Sequence, residues 1–363
     1  MRKKLTALFG GLLISALTTI FPVCAQQTRV LTADKHNEYG LVYTLPVTSV
    51  RFDITARQRV SKAGPFYQYA GRYLGTDRVI TSDSESWEII SVKAVPFGTP
   101  DNENEYLMQL KPGALTSICV ADNGMLLAIN TEVDSPQTPD PEDDSAPDAG
   151  IGVKDYLQYV NEDFLASQSS AKQAQLLSES LMEVRDSRVS LTRGTAETMP
   201  SDGRQLELML NSLKHQEEAM SAAFTGTVTE RTVTRSFVYT PEKDGRTVLF
   251  RMSDFAGFVE ADDYSGDPVY VTMATTAEPG MPVDSKGEEK KMPKDAVIYN
   301  LPGAAKLTVS LNGNNLWSGE IECAQLGIQF GLSPSLFSDK KNRSYAVFNP
   351  VTGALVKIAD VNE

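Results

Sequence analysis

Two stripes of apolar residues at helical spacing, set back to back in a chain otherwise patterned for strands, constrain this sequence most. Leu177, Leu181, Val184 and Leu191 repeat on one face, and Leu206, Leu210, Leu213, Met220 and Phe224 on another, the period that buries one side of a helix. Between them Arg193-Gly194 is a stop, and Pro200-Ser201-Asp202-Gly203 is a turn with capping residues for a new helix. A connection this short predicts an antiparallel helical hairpin within residues 153–226. Each stripe carries one charge, Arg188 and Glu217. If Leu191 faces Leu206, Arg188 falls near Leu210, roughly 10 Å from Glu217 at about 1.5 Å per residue, so each charge is expected to snorkel rather than pair. His215 lies opposite its stripe and should be exposed.

The flanking stretches alternate as strands do. Residues 41–60 and Trp87 to Val95 are rich in β-branched and aromatic types, and Tyr106 to Leu110 is a further strand. Between the first two, Gly64-Pro65 opens a short helix with Phe66, Tyr69, Ala70 and Tyr73 on one face. Thr116 to Val120 and Met125 to Asn130 flank Asn123-Gly124, a hairpin signal. After Gly226, Thr227 to Thr240 is expected to pair with Thr247 to Met252 through a turn at Pro241 to Gly245. Val269 to Thr275, Lys306 to Leu311 and Leu316 to Ala324 follow, and Tyr345 to Phe348 closes on Ala354 to Ile358. Gly124-x-Leu126-x-x-Ile129 recurs as Gly353-x-Leu355-x-x-Ile358, an echo that predicts similar sheets at the two ends of the molecule.

The ends and joints of this pattern set the compartment and the domain plan. Arg2, Lys3 and Lys4 precede an uncharged apolar run from Leu5 to Val23, and Val23-Cys24-Ala25 supplies small residues for cleavage. Residues 1–25 therefore read as a signal peptide cut before Gln26, with a lipid anchor on Cys24 as the alternative. No later stretch approaches the roughly 18 apolar residues of a membrane-spanning helix. Cys119 and Cys323 remain, expected as two separate buried thiols rather than a disulfide. Residues 133–152 interleave Pro136, Pro139, Pro141 and Pro147 with Asp134, Asp140, Glu142, Asp143, Asp144 and Asp148, an acidic linker or loop that cannot bury enough apolar surface to order itself. The plan is α+β: two mainly antiparallel β domains, 26–132 with its short helix and 227–363, and the helical hairpin between them.

Function is less legible. Lys plus Arg 34 against Asp plus Glu 47, net −13, argues against nucleic acid, because nothing supplies the counterion release that such binding runs on. His36 sits near the new N-terminus and His215 on a polar helix face, so neither is a convincing base for a nucleophile. No phosphate loop or dinucleotide fingerprint follows a strand, and the two histidines with two cysteines make no evident zinc site. No cofactor and no metal are expected, and catalysis is less favoured than binding. The best local group of ligands is Glu260, Asp262, Asp263, Tyr264 and Asp267, in a loop that a polar connection explains equally well. Trp87, Trp317, Tyr67 and Tyr264 are possible sugar platforms, against a simpler place in the core.

Glu197-Thr198-Met199-Pro200-Ser201-Asp202-Gly203, Ala223-Phe224-Thr225-Gly226, Asp254-Phe255-x-Gly257-Phe258, Asp263-Tyr264-Ser265-Gly266-Asp267-Pro268 and Phe348-Asn349-Pro350-x-Thr352-Gly353 together resemble an uncharacterised family of exported proteins of gut Bacteroidales, the domain of unknown function 4831. The resemblance covers nearly the whole chain after residue 25. It implies a periplasmic or cell-surface protein of a Gram-negative envelope and adds no activity or site. The expectation is a non-catalytic binding or structural protein whose partner is an envelope protein or a glycan, with a carbohydrate-binding protein or a glycoside hydrolase using paired carboxylates as the alternative.

Overall fold

The computed structural model describes residues 40–109, 117–135, 137–141, 143–146, 150–338 and 343–361. The signal peptide 1–25, Gln26 and His36 lie outside the described residues, as do Leu110, Thr116, Pro136, Glu142, Pro147 and Asp148.

Strand β1 (Gly40–Lys62) leads through a short helix, α1 (Ala70–Tyr73), to β2 (Ser84–Gln109), then to the hairpin of β3 (Ile118–Val120) and β4 (Leu126–Ile129). Three helices follow, α2 (Glu162–Ala166), α3 (Ser170–Arg193) and α4 (Gly203–Thr225). Eight strands and one helical turn complete the chain: β5 (Thr227–Tyr239), β6 (Gly245–Ser253), β7 (Gly257–Val259), β8 (Asp267–Ala277), β9 (Val297–Leu311), β10 (Asn314–Leu332), α5 (Ser335–Ser338), β11 (Ser344–Phe348) and β12 (Leu355–Asp360). The strands form antiparallel sheets ordered β2-β1-β5, β10-β9-β8-β6-β7 and β12-β11-β4-β3. The protein is α+β, with the paired helices α3 and α4 between sheet regions of the sequence.

Alternation on β1 explains the main core. Val50, Phe52, Ile54 and Ala56 are fully buried, so one face of the first sheet is apolar; on the other face Arg51, Thr55 and Arg57 are partly covered and Asp53 is buried against Arg51 and Ser236. The apolar face meets the second sheet at Phe250, Val269, Val271, Leu307 and Val309. Phe52 lies edge-on to Trp317 with ring centroids 5.5 Å apart, and Phe237 stacks on Phe250 at 4.3 Å. Register breaks between Thr44 and Pro46 on β1, and between Cys323 and Ile328 on β10, mark where these strands bend. Beyond the bends Tyr43, Leu45, Tyr299 and Phe330 enter a second core with Leu126, Ile129, Ala346 and Phe348.

A third core joins the helices to the turn after β1, through Phe66, Ala70, Tyr156, Phe164, Leu177, Leu181, Met220 and Phe224. Gly64 permits the contact: a Cβ there would sit 2.4 Å from the carbonyl oxygen of Ala223. Helix α3 ends on Gly194 at φ 71, and Asp202 caps α4 by accepting from the Gln205 N–H.

Three expectations are corrected. β2 runs unbroken across residues 96–105, because β1 opposite it is long enough to pair both halves. β5 and β6 do not form a hairpin. β1 takes the inner edge of β5, and the Pro241 to Asp244 turn instead carries the chain from the first sheet to the second. The echoed hairpins do not build separate sheets, since β4 pairs with β11 at Ile129–Ala346 and Ala128–Val347 and places both hairpins in one sheet. Every residue of β4 is buried, so a strand this apolar needs neighbours on both edges and cover on both faces. Cys119 and Cys323 are unpaired, the latter buried and the former partly so.

Candidate functional site

The acidic loop between β7 and β8 is organised by a residue that sequence reasoning passed over. Arg251, on β6, donates from Nε to the Ala261 carbonyl at 2.9 Å and from Nη1 to the Gly266 carbonyl at 3.0 Å. Its guanidinium carbon also lies 4.5 Å from the centroid of the Tyr264 ring, a cation–π arrangement. Tyr264 caps this cation yet remains 84% exposed. The candidate carboxylates diverge around it. Asp263 accepts from the Ser265 N–H at 2.9 Å, and that bond, with the Ser265 hydroxyl, holds its carboxyl below the usual carboxylate range. Asp267 accepts from the Asn312 side chain at 2.7 Å, while Glu260 and Asp262 face solvent. Among the described residues no three His, Cys, Asp or Glu side chains group to hold a metal ion. What the loop offers is an outward-facing aromatic ring, fixed from below.

The other aromatic candidates sit differently. Trp87 is half-buried over Gly257, where a Cβ would lie 2.8 Å from the indole, and Trp317 packs on Phe52. Both belong to the margin of the main core. Tyr67 is half-buried and accepts a hydrogen bond from Gln68. His215 is exposed on α4.

The helix pair is the second candidate surface. The stripe of α3 is buried at Leu177, Leu181, Val184 and Leu191, whereas α4 buries only residues from Ala219 to Phe224. Its first turns are uncovered on the far side, with Leu208 63% and Met209 37% exposed. Ser187, Ser190, Leu191, Glu197, Met209 and Leu213 border a groove of about 620 Å³. Deeper along the pair, Glu217 receives Arg185 Nε at 2.9 Å and Arg188 Nη2 at 3.0 Å. This corrects the expectation that Arg188 and Glu217 stay apart. Residues 194–202 form a connection long enough to set Leu191 and Leu213 on one groove and Arg188 beside Glu217, a register shifted from Leu191 facing Leu206. Arg185 gave no signal of its own, because an arginine three residues from Arg188 also suits a solvated helix face.

Antiparallel sheets packed over a shared core, with a helix pair between sheet regions of the sequence, define an α+β protein. The chain belongs to the family described as a domain of unknown function (DUF4831), whose sequence model matches residues 39–356. No curated protein and no solved structure matches it.

Proposed function

We propose that this is an exported protein of the cell envelope, periplasmic or at the cell surface, that works without catalysis by binding a partner protein through the outer half of the α3–α4 hairpin. The observation that carries the reading is on α4, where Met209 borders the groove with Leu191 and Leu213, and Leu208, next to it in the chain, stands in solvent. Adjacent apolar side chains left uncovered beside a groove suit a partner's apolar side chains. Export rests on the leader of residues 1–25, with cleavage before Gln26 or acylation of Cys24 as its two outcomes, which the mass of the protein isolated from its native envelope distinguishes.

The test is a photo-crosslinking amino acid placed at Leu208 in the full chain expressed in its own cells. The expected result is one discrete protein adduct that is missing when the crosslinker stands at the exposed Lys243 and is lost on Met209→Lys. Adducts that are identical from both positions overturn the reading, as does the absence of any.

A second reading, carbohydrate binding, is favoured by Tyr264, whose ring is fixed over Arg251 and turned outward as stacking on a sugar requires. A glycan array probed with the folded protein and with Tyr264→Ala decides it: no glycan bound by the parent removes the reading.

A further inference from the structure

In a chain of net charge −13, β1 and β5 carry Arg51, Arg57, Arg59, Arg231 and Arg235. The acidic segment after β4 is exposed along its described length and touches these two strands at Pro139, Asp144 and Ser145. Its contacts imitate those of a strand. Ser145 donates its N–H to the Thr232 carbonyl at 3.0 Å, and its hydroxyl oxygen accepts from the Thr232 N–H at 2.7 Å. Asp144 accepts from the Thr234 N–H at 2.7 Å and pairs with Arg235 at 3.2 Å. Arg51 donates to the Pro139 carbonyl.

Thr232 and Thr234 are alternate residues of β5, and their backbone groups point away from β1, at the open edge of the first sheet. Val228, Glu230, Ser236 and Val238 turn theirs the same way by the two-residue period. Among the described residues, the segment's hydrogen bonds to the backbone of this edge reach only Thr232 and Thr234. An edge of this kind is a template for an incoming strand. Here the seat is taken by side-chain oxygens on an exposed, proline-spaced segment. Upstream the same segment does not pack down, since Ser135 and Gln137 border a cavity of about 350 Å³ against Phe97 and Asn123.

We propose that the outer edge of β5 is a docking edge for an extended acidic peptide segment, and that Asp144 and Ser145 are its intramolecular occupants, displaced by an external segment of the same chemistry. Recognition comes from acceptor side chains set to meet the Thr232 and Thr234 N–H groups, and from carboxylates set to meet Arg235. A tethered occupant competes at an effective concentration on the order of millimolar, so the intact chain masks its own edge at Thr232 and Thr234. This surface is separate from the helix pair, and neither proposal depends on the other.

The test uses the full chain with Asp144→Ala and Ser145→Ala together. The probe is a synthetic peptide with the sequence of residues 133–150, titrated while the amide signals of Thr232 and Thr234 are followed by NMR. The expected result is faster hydrogen exchange at both amides in the double variant, and saturable peptide binding at least about tenfold tighter than to the parent chain. Adding Arg235→Ala, or raising the salt to about 0.5 M, should reverse that gain, because the pair is exposed and screened. Unchanged exchange at the two amides overturns the proposal. So does equal peptide affinity in the two chains, which would leave the segment as a passive guard of the edge, or equal binding of a scrambled peptide.

Discussion

At the scale of single residues, several carboxylates are held first by neighbouring N–H and hydroxyl groups, with the cations Lys62 and Arg235 adding to two of them. Asp83 accepts first from the Ala63 N–H, Asp144 from the Thr234 N–H, and Asp263 from the Ser265 N–H, while Asp244 takes the Thr275 hydroxyl and N–H. Each pKa is lowered in the folded protein. Their contribution to stability is therefore present above the ordinary carboxylate value of about 4 and is lost as the pH falls through the lowered folded values. Far-ultraviolet circular dichroism against pH should stay flat down to about pH 4 and fall below it, with exchange at Ala63, Thr234, Thr275 and Ser265 rising first. A transition centred above pH 5 contradicts this. Burial pushes the Cys323 thiol up to about 11, so a thiol reagent at pH 8 should label the partly exposed Cys119 in the native protein and Cys323 only after unfolding. Failure of both to react until a reductant is added means that they are paired. The acidic residues of the 260–267 loop were legible as exposed charge, but Arg251 was not. One arginine within a strand has no period and no spacing to betray that it bridges two carbonyls and a ring.

At the scale of elements, the helix pair shows what patterning reveals and where it stops. The stripes, the glycine stop and the aspartate cap are local chemistry, and each stands where its residue type requires. Register is not local. It depends on how much chain the connection spends before α4 begins, and residues 194–202 spend enough to set Glu217 between Arg185 and Arg188. Glu217 is 17% exposed, against 37% and 42% for the two arginines, so its removal leaves two like charges facing each other in a half-wet site. Glu217→Ala should cost about 1 kcal/mol in urea denaturation, as a solvent-screened network does. Arg185→Ala should cost less, since Arg188 keeps its partner. An equal loss from both refutes a shared carboxylate. The β5–β6 pairing failed on similar grounds: proline and glycine mark a turn, but they do not say whether the chain folds back or changes sheet.

At the scale of the molecule, alternation told which faces are apolar and left open which strands share them. Val50 of β1 pairs with Tyr239 of β5, and Phe52 touches Trp317 of β10, partners that nothing short of the folded topology connects. The main core is thus drawn from both ends of the chain. Calorimetry of residues 40–363 should show one cooperative transition across both sheet regions, and Phe52→Ala should lower it by about 3–5 kcal/mol as a large cavity does. Two separate transitions, only one of them moved, would mean independent folding units. Strand β1 also sets a timetable. Its neighbour β2 follows at once, but β5 lies beyond the whole helical region and β10 close to the C-terminal end. A ribosome delivers the chain from its N-terminus, so the apolar side of β1 waits for Phe250, Val269 and Leu307, all beyond the helical region. A chain still being made therefore carries that side uncovered until the strands beyond the helices have formed.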